Sequence, residues 1–377
     1  MTLPARVIRA VRPQASPGVM AGAAVVAAVF AATPLLLPDV STGLNVPLGT
    51  TGMLSAAQVG SFALASLVAG RLYRPRRRFH YGSLGLVAVA SIGSALAPNF
   101  VVLMASRVLA GVGLGTLTWI AWADATRFAR GMGDVAAVAP LTATLASPPL
   151  GWITEHLGFR WVFASMAVVA LLAMLLSVDF GELPRVGRSV SASLSNRFLL
   201  LGLMALTLGG SSVFVFTGAA AQELHGLTPG SVAWAFSMNA IAGVAATRRH
   251  ARAGSAWAWL VATSASALLV GITRSGLIFF FALTIWGFAF WMAVPAIFRL
   301  IEKKALTPVE RVGDAQAIMA VGRVFGPLVG GVALAGGEFG RLSITGGAVV
   351  LLAAAIVAVV ELGRARGWSS RSVSQAR

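Results

Sequence analysis

The chain has 377 residues, of which 57% are hydrophobic and only 11% charged, with a mean hydropathy of +0.84 and a formal net charge of +17. Soluble globular domains carry about 25% charged residues, so an ordinary water-soluble enzyme is excluded. Cysteine is absent, which excludes disulfides and thiolate metal sites.

At about 20 residues per membrane-spanning helix, the chain holds twelve spans if the loops are short. After Arg6, Arg9 and Arg12, the uncharged run 18–37 is longer than a signal-peptide core and reads as a retained first span. Runs 51–70, 81–98, 100–122, 135–153 and 161–178 follow. A polar stretch with Pro184, several serines and mixed charge, 179–197, reads as a linker. Six more runs come after it: 198–221, 231–247, 255–272, 275–298, 315–334 and 342–360. The expected fold is an all-α membrane protein of twelve transmembrane helices, with a six-helix bundle over 1–178, a cytoplasmic linker, and a second bundle over 198–377. The four histidines, His80, His156, His225 and His250, fall in the connections, so no paired-histidine metal motif lies inside a span.

Within the runs the only formal charges are Arg107 and Arg323. Of the 29 Lys and Arg residues, 24 fall on the side of the two termini and the even-numbered loops. Only Arg160, Arg274 and Arg341 fall on the other side. This asymmetry places both termini in the cytoplasm and accounts for the basic charge without nucleic acid as a partner. A bacterial inner membrane is the expected location.

The two sets of six runs repeat each other at offsets of 173 to 182 residues. Gly133-Asp134 recurs as Gly313-Asp314, Pro148 with Gly151 as Pro327 with Gly330, and Gly158-Phe-Arg160 as Gly340-Arg341. The basic loop 70–78 recurs as 243–252. Such a repeat places a substrate site between two pseudo-symmetric halves.

With these features the sequence resembles the major facilitator superfamily along essentially its whole length. Gly70-Arg-Leu-Tyr-Arg74-Pro-Arg-Arg77-Arg78 keeps the placement, first glycine and last basic residue of the family's loop between helices 2 and 3, with Arg74 replacing its Asp. Arg107-Val-Leu-Ala-Gly111-Val-Gly113-Leu-Gly115 matches the family's helix 4 signature. The helix 5 pattern of family antiporters survives there only as Pro148 and Gly151, yet stands complete in helix 11 as Gly322, Gly326, Pro327, Gly330 and Gly331. The resemblance implies a cavity lined by helices 1, 4, 7 and 10, and a helix 4 arginine that works in proton transfer with a membrane carboxylate. No Asp or Glu lies inside the runs, so that role lacks its usual partner here.

An arginine inside the membrane is a functional candidate, set against the plainer role of locking neighbouring helices together, so Arg107 and Arg323 lead the site residues. Gln58, Thr116, Trp119, Ser211, Asn239, Thr284 and Trp286 supply the remaining cavity polarity, each also able to serve as an ordinary inter-helix contact. Gly111, Gly113, Gly115, Gly151, Gly326, Gly330 and Gly331, with Pro148 and Pro327, permit close helix approach. A cytoplasmic gate is expected from the repeat: Arg71 or Arg74 with Asp314, and Arg248 or Arg249 with Asp134. N-capping alone also explains both aspartates.

The reading is a monomeric secondary transporter for a small-molecule substrate, working by alternating access, with efflux as its direction. Proton coupling requires a boundary carboxylate such as Asp39 or Asp124. The alternatives are an organic anion carrier, from two intramembrane arginines without acids, and a non-transporting sensor of the same shape. No nucleotide-binding loop, cofactor or metal is implied, and no acid–base set for an intramembrane enzyme is present.

Overall fold

The computed structural model describes residues 16–72, 74–127, 131–180, 194–249, 254–303 and 308–362. The first six helices are α1 Pro17–Gly43, α2 Leu48–Leu72, α3 Arg77–Ala95, α4 Phe100–Ala125, α5 Gly131–Leu157 and α6 Phe159–Ala173. The remainder are α7 Leu194–Phe214, α8 Thr217–His225, α9 Pro229–Arg249, α10 Ala256–Ile272, α11 Gly276–Glu302, α12 Pro308–Ala333 and α13 Phe339–Leu362. Among the described residues, seven helices are long and apolar enough to cross a membrane, including α1, α2, α4, α11 and α13. The outer surface is apolar: Leu175, Val332 and Val359 are 80%, 72% and 74% exposed. Such a surface is at home in lipid, where helices satisfy their own backbone groups.

Thirteen helices stand among the described residues, because one expected span is two helices. The expected seventh span divides at residues 215–216, where the Phe216 N–H donates to Val213 O (3.0 Å), three residues back instead of four. Phe216 itself has φ −98° and ψ 4°, and its fully buried ring leaves the helix surface to fill an inter-helix space. Two other readings shift. The fourth helix continues past Trp122 to Ala125 and so includes a buried Asp124. His80 stands in the first turn of α3 instead of a loop, buried against Gly22 and the rings of Tyr81 and Phe180.

Helix ends are fixed by local and distant acceptors. Asn99 caps α4 by accepting the Val102 N–H at 3.0 Å. Asp39, near the end of α1, accepts the Phe159 N–H at 2.5 Å and so caps α6 from another helix. Glu361 of α13 does the same for α10 through the Ala256 N–H at 2.9 Å. The α5–α6 turn needs φ +83° at residue 158, which glycine supplies without strain.

Glycines set the helix spacing. Gly111 and Gly115 lie on one face of α4, against the main chain of α2 at Gln58 and Phe62, while Gly113 meets Ser83 and Val87 of α3. Gly322, Gly326 and Gly330, each four residues apart, bring α12 against α7 at Met204, Leu208 and Ser212. The first six helices and the last seven meet chiefly where α2 packs on α12, α5 on α9 and α8 on α1.

Candidate functional site

The contacts between α1–α6 and α7–α13 gather toward one end of the helices. The main chains of Gly49 and Gly331 touch, since a Cβ on either would collide with the other's carbonyl. The Phe216 ring sits where a Cβ on Gly52 would meet it at 2.8 Å and one on Gly330 at 3.0 Å, so it wedges between α2 and α12. On the other flank, Gly151 lies against Pro229 O and Ala233, the Glu155 carboxylate accepts the Gly230 N–H at 2.9 Å, and Ser237 Oγ donates to Thr144 O at 2.5 Å. Gly218 rests on Pro34 O, joining α8 to α1. These residues occupy the starts of α2 and α9 and the later parts of α5 and α12, the end that carries Arg160 and Arg274.

The helical register of α12 locates Arg323. Gly322, Gly326 and Gly330 face α7, and Val324 and Gly331 face α2. The exposed apolar residues Val321, Phe325, Leu328 and Val332 form the opposite side. At about 100° per residue, Arg323 falls between the α7 and α2 faces, away from the apolar one. Its side chain is exposed there, on the face of α12 between those that meet α7 and α2.

Arg107 is placed quite differently. It is 3% exposed, donates from Nε to Ser94 Oγ (2.9 Å) and from Nη2 to Ala90 O (3.1 Å), and stacks its guanidinium 4.5 Å above the Phe163 ring. It therefore ties α4 to α3 and α6. With Gln58 it lines a cavity of about 20 Å³ inside the first six helices.

The remaining polar candidates mostly serve neighbouring helices. Ser211 Oγ donates to Thr207 O at 2.6 Å, lies 3.4 Å from Gly322 O, and packs on Gly326. Asn239 Nδ2 donates to Leu283 O (2.7 Å), joining α9 to α11. Trp286 is buried with its ring 5.7 Å from that of Phe214. Thr116 and Thr284 each donate to the carbonyl four residues back, and Trp119 packs on Gly70. The hydrogen bonds given for Ser211, Asn239, Thr116 and Thr284 thus run to their own or a neighbouring helix.

At the opposite end, Arg71, Arg74 and Arg249 are exposed and Asp134 is half-buried in the first turn of α5. The side chains of Arg248 and Asp314 lie outside the described residues. Arg127 pairs with the buried Asp124 at 2.7 Å, and Arg77 lies 4.0 Å from Asp179. Asp39 and Asp124 thus each have a fixed structural partner.

Sequence reasoning did not single out Phe216, Glu155, Gly49 or Gly52. The only available signal was the small-residue run at the start of the second span. The role of Phe216 depends on a helix break that neither Gly nor Pro marks at residues 215–216.

This arrangement defines a multi-pass helical membrane protein whose two groups of helices meet through glycine-lined contacts toward one end. The chain belongs to the Major Facilitator Superfamily, whose family profile it matches over residues 19–331. It is 32% identical over 152 residues to an uncharacterized MFS-type transporter of Mycobacterium tuberculosis, covering 37% of this chain and 26% of that protein. It is 28% identical over 259 residues to a chloramphenicol efflux pump of M. tuberculosis, covering 63% of this chain and 60% of the pump. The chain therefore spans about a quarter and 60% of these two relatives. Its fold matches the crystal structure of a bacterial homolog of the human lysosomal transporter Spinster in an inward-facing, occupied conformation, with TM-score 0.68 and 15% identity over 91% of this chain and 96% of that one.

Proposed function

We propose that this protein is a secondary active transporter that moves a small organic solute out of the cell by alternating access. One observation carries the reading: the halves touch at the arginine-poor end, through bare glycine backbones, while Arg323 stands exposed on the face of α12 between α2 and α7. With the arginine-rich end in the cytoplasm, this is a cytoplasm-facing state. The scheme has α7 and α8 as one broken crossing, twelve crossings in all, two bundles over 1–178 and 198–377, and both termini inside. Efflux is supported by the likeness to the chloramphenicol efflux pump.

Arg323 favours a second reading, an organic anion as the transported solute. It is a permanent cation on the face of α12 turned from lipid, and such a residue selects carboxylate or phosphate-bearing solutes. Proton coupling, if the cycle has it, runs through carboxylates at span ends.

The test is accumulation of labelled organic anions, cations and neutral amphiphiles, chloramphenicol included, in cells that carry the protein or an Arg323→Gln variant. The reading expects lowered accumulation of one class and loss of that effect in the variant. Equal accumulation of the whole panel, with the protein shown to be in the membrane, contradicts transport and favours the sensor.

A further inference from the structure

The cavity beside Arg107 has a chemistry of its own. It lies among α1, α2, α4 and α6, with Val29, Leu36, Leu54, Phe163 and Met166 as apolar walls. Three polar side chains line it, Arg107, Gln58 and Thr33, and the first two, from different helices, are each 3% exposed. The guanidinium has five N–H donors, of which Nε and one on Nη2 are engaged, with Ser94 and Ala90. No carboxylate among the described residues pairs with it. The Gln58 Nε2 is buried without a hydrogen-bond partner in the protein. The comparable amide of the second half, Asn239, spends its Nδ2 on Leu283 O. Thr33, also on the wall, donates its hydroxyl to Val29 O at 3.2 Å.

The site thus offers donors in excess, and one of them carries a full positive charge. A buried cation without a counter-charge is costly in surroundings of low dielectric, and buried donors without acceptors add to that cost. The complement is a group that accepts from both side chains and carries one negative charge. A volume of about 20 Å³ admits one or two waters or a single monatomic ion, and excludes an organic anion.

We propose that this cavity is a binding site for one small monovalent inorganic anion of the halide class, held between the Arg107 guanidinium and the Gln58 amide. The bound ion neutralises Arg107 and links α2 to α4 inside the first bundle. The site is separate from Arg323 on α12, and the proposal does not depend on which solute is transported.

The test uses the full chain purified in detergent. Thermal stability is followed while chloride replaces gluconate at constant ionic strength, because a ligand of the folded state raises stability with its concentration and gluconate is too large for the cavity. The wild type is expected to gain melting temperature until chloride saturates. Gln58→Met keeps the side-chain volume and the arginine but removes the amide. It is expected to shift the half-saturating chloride about tenfold upward, the loss of one hydrogen bond to an ion. In crystals grown with bromide, an anomalous peak is expected between Arg107 and Gln58. No chloride response in the wild type, an unchanged response in Gln58→Met, or ordered water alone at that position would overturn the proposal.

Discussion

The Glu155 carboxylate accepts the main-chain N–H of Gly230 at 2.9 Å, so the end of α5 caps the start of α9 across the two halves of the chain. A carboxylate is favourable at a helix N-terminus for its charge as well as its hydrogen bond. In the proposed cycle the bond exists only while that end is closed, so there it biases the conformational equilibrium without holding either half together. Replacing Glu155 by Ala is expected to raise the population open at the arginine-poor end by about three- to tenfold, the worth of a typical cap. Labelling rates of a single cysteine introduced at Thr228 check this, because the chain has no native cysteine. An unchanged labelling rate would count against the latch.

Gly49 and Gly331 make a second prediction. A side chain at either position collides with main chain of the other half, and main chain cannot rotate away. Gly331→Val is therefore expected to hinder closure at that end while leaving the separate bundles folded. The outcome to look for is a near-normal melting temperature with a population shifted toward the open form. Gly326→Val differs, because Gly326 packs on α7 within one half. There the cost falls on the fold, about 1–3 kcal/mol of overpacking, read as a lowered melting temperature.

The two arginines are expected to separate cleanly. Arg107 is hydrogen-bonded and stacked within its bundle, so Arg107→Ala removes two hydrogen bonds and a cation–π contact and costs about 2–5 kcal/mol in stability. Arg323 is exposed on α12 and makes no comparable set of contacts among the described residues, and Arg323→Gln is expected to change stability by less than about 1 kcal/mol. Thermal melts of the two variants side by side decide the matter. A large loss in the Arg323 variant would mean that it too is a structural clamp.

Asp39 supplies a fourth test. It caps α6 from α1, and Asp39→Ala is expected to cost about 1–2 kcal/mol of stability with little effect on solute movement. If the variant instead keeps its stability and loses accumulation differences between proton-gradient conditions, Asp39 belongs to a coupling path.

Much of the fold was legible because lipid leaves few options. A span must be apolar and helical, and charges must stand outside it, so the runs and the loop arginines reveal the helices directly. The glycine register of residues 111–115 and 322–330 was legible for the same reason, since only small residues let helices touch. The distant caps were not legible: Asp39 and Phe159 are 120 residues apart, and nothing local in either segment names the other. The break at Phe216 was also hidden, because it is stabilised by where the ring goes and not by a helix-breaking residue. The environments of Arg107 and Arg323 differ for a related reason. Position along a span predicts depth, but only the packing of neighbours shows which face of the helix a residue occupies.

In the proposed cycle the two halves alternate between closure at one end and closure at the other. Spin labels on introduced cysteine pairs measure it directly, one pair at Leu157 and Leu227 for the arginine-poor end and one at Leu72 and Lys303 for the arginine-rich end. Distances are recorded with and without each solute class in liposomes. Reciprocal behaviour, the first distance lengthening as the second shortens, is the predicted result. Distances that stay fixed at both ends, under a solute the protein demonstrably binds, would contradict alternating access.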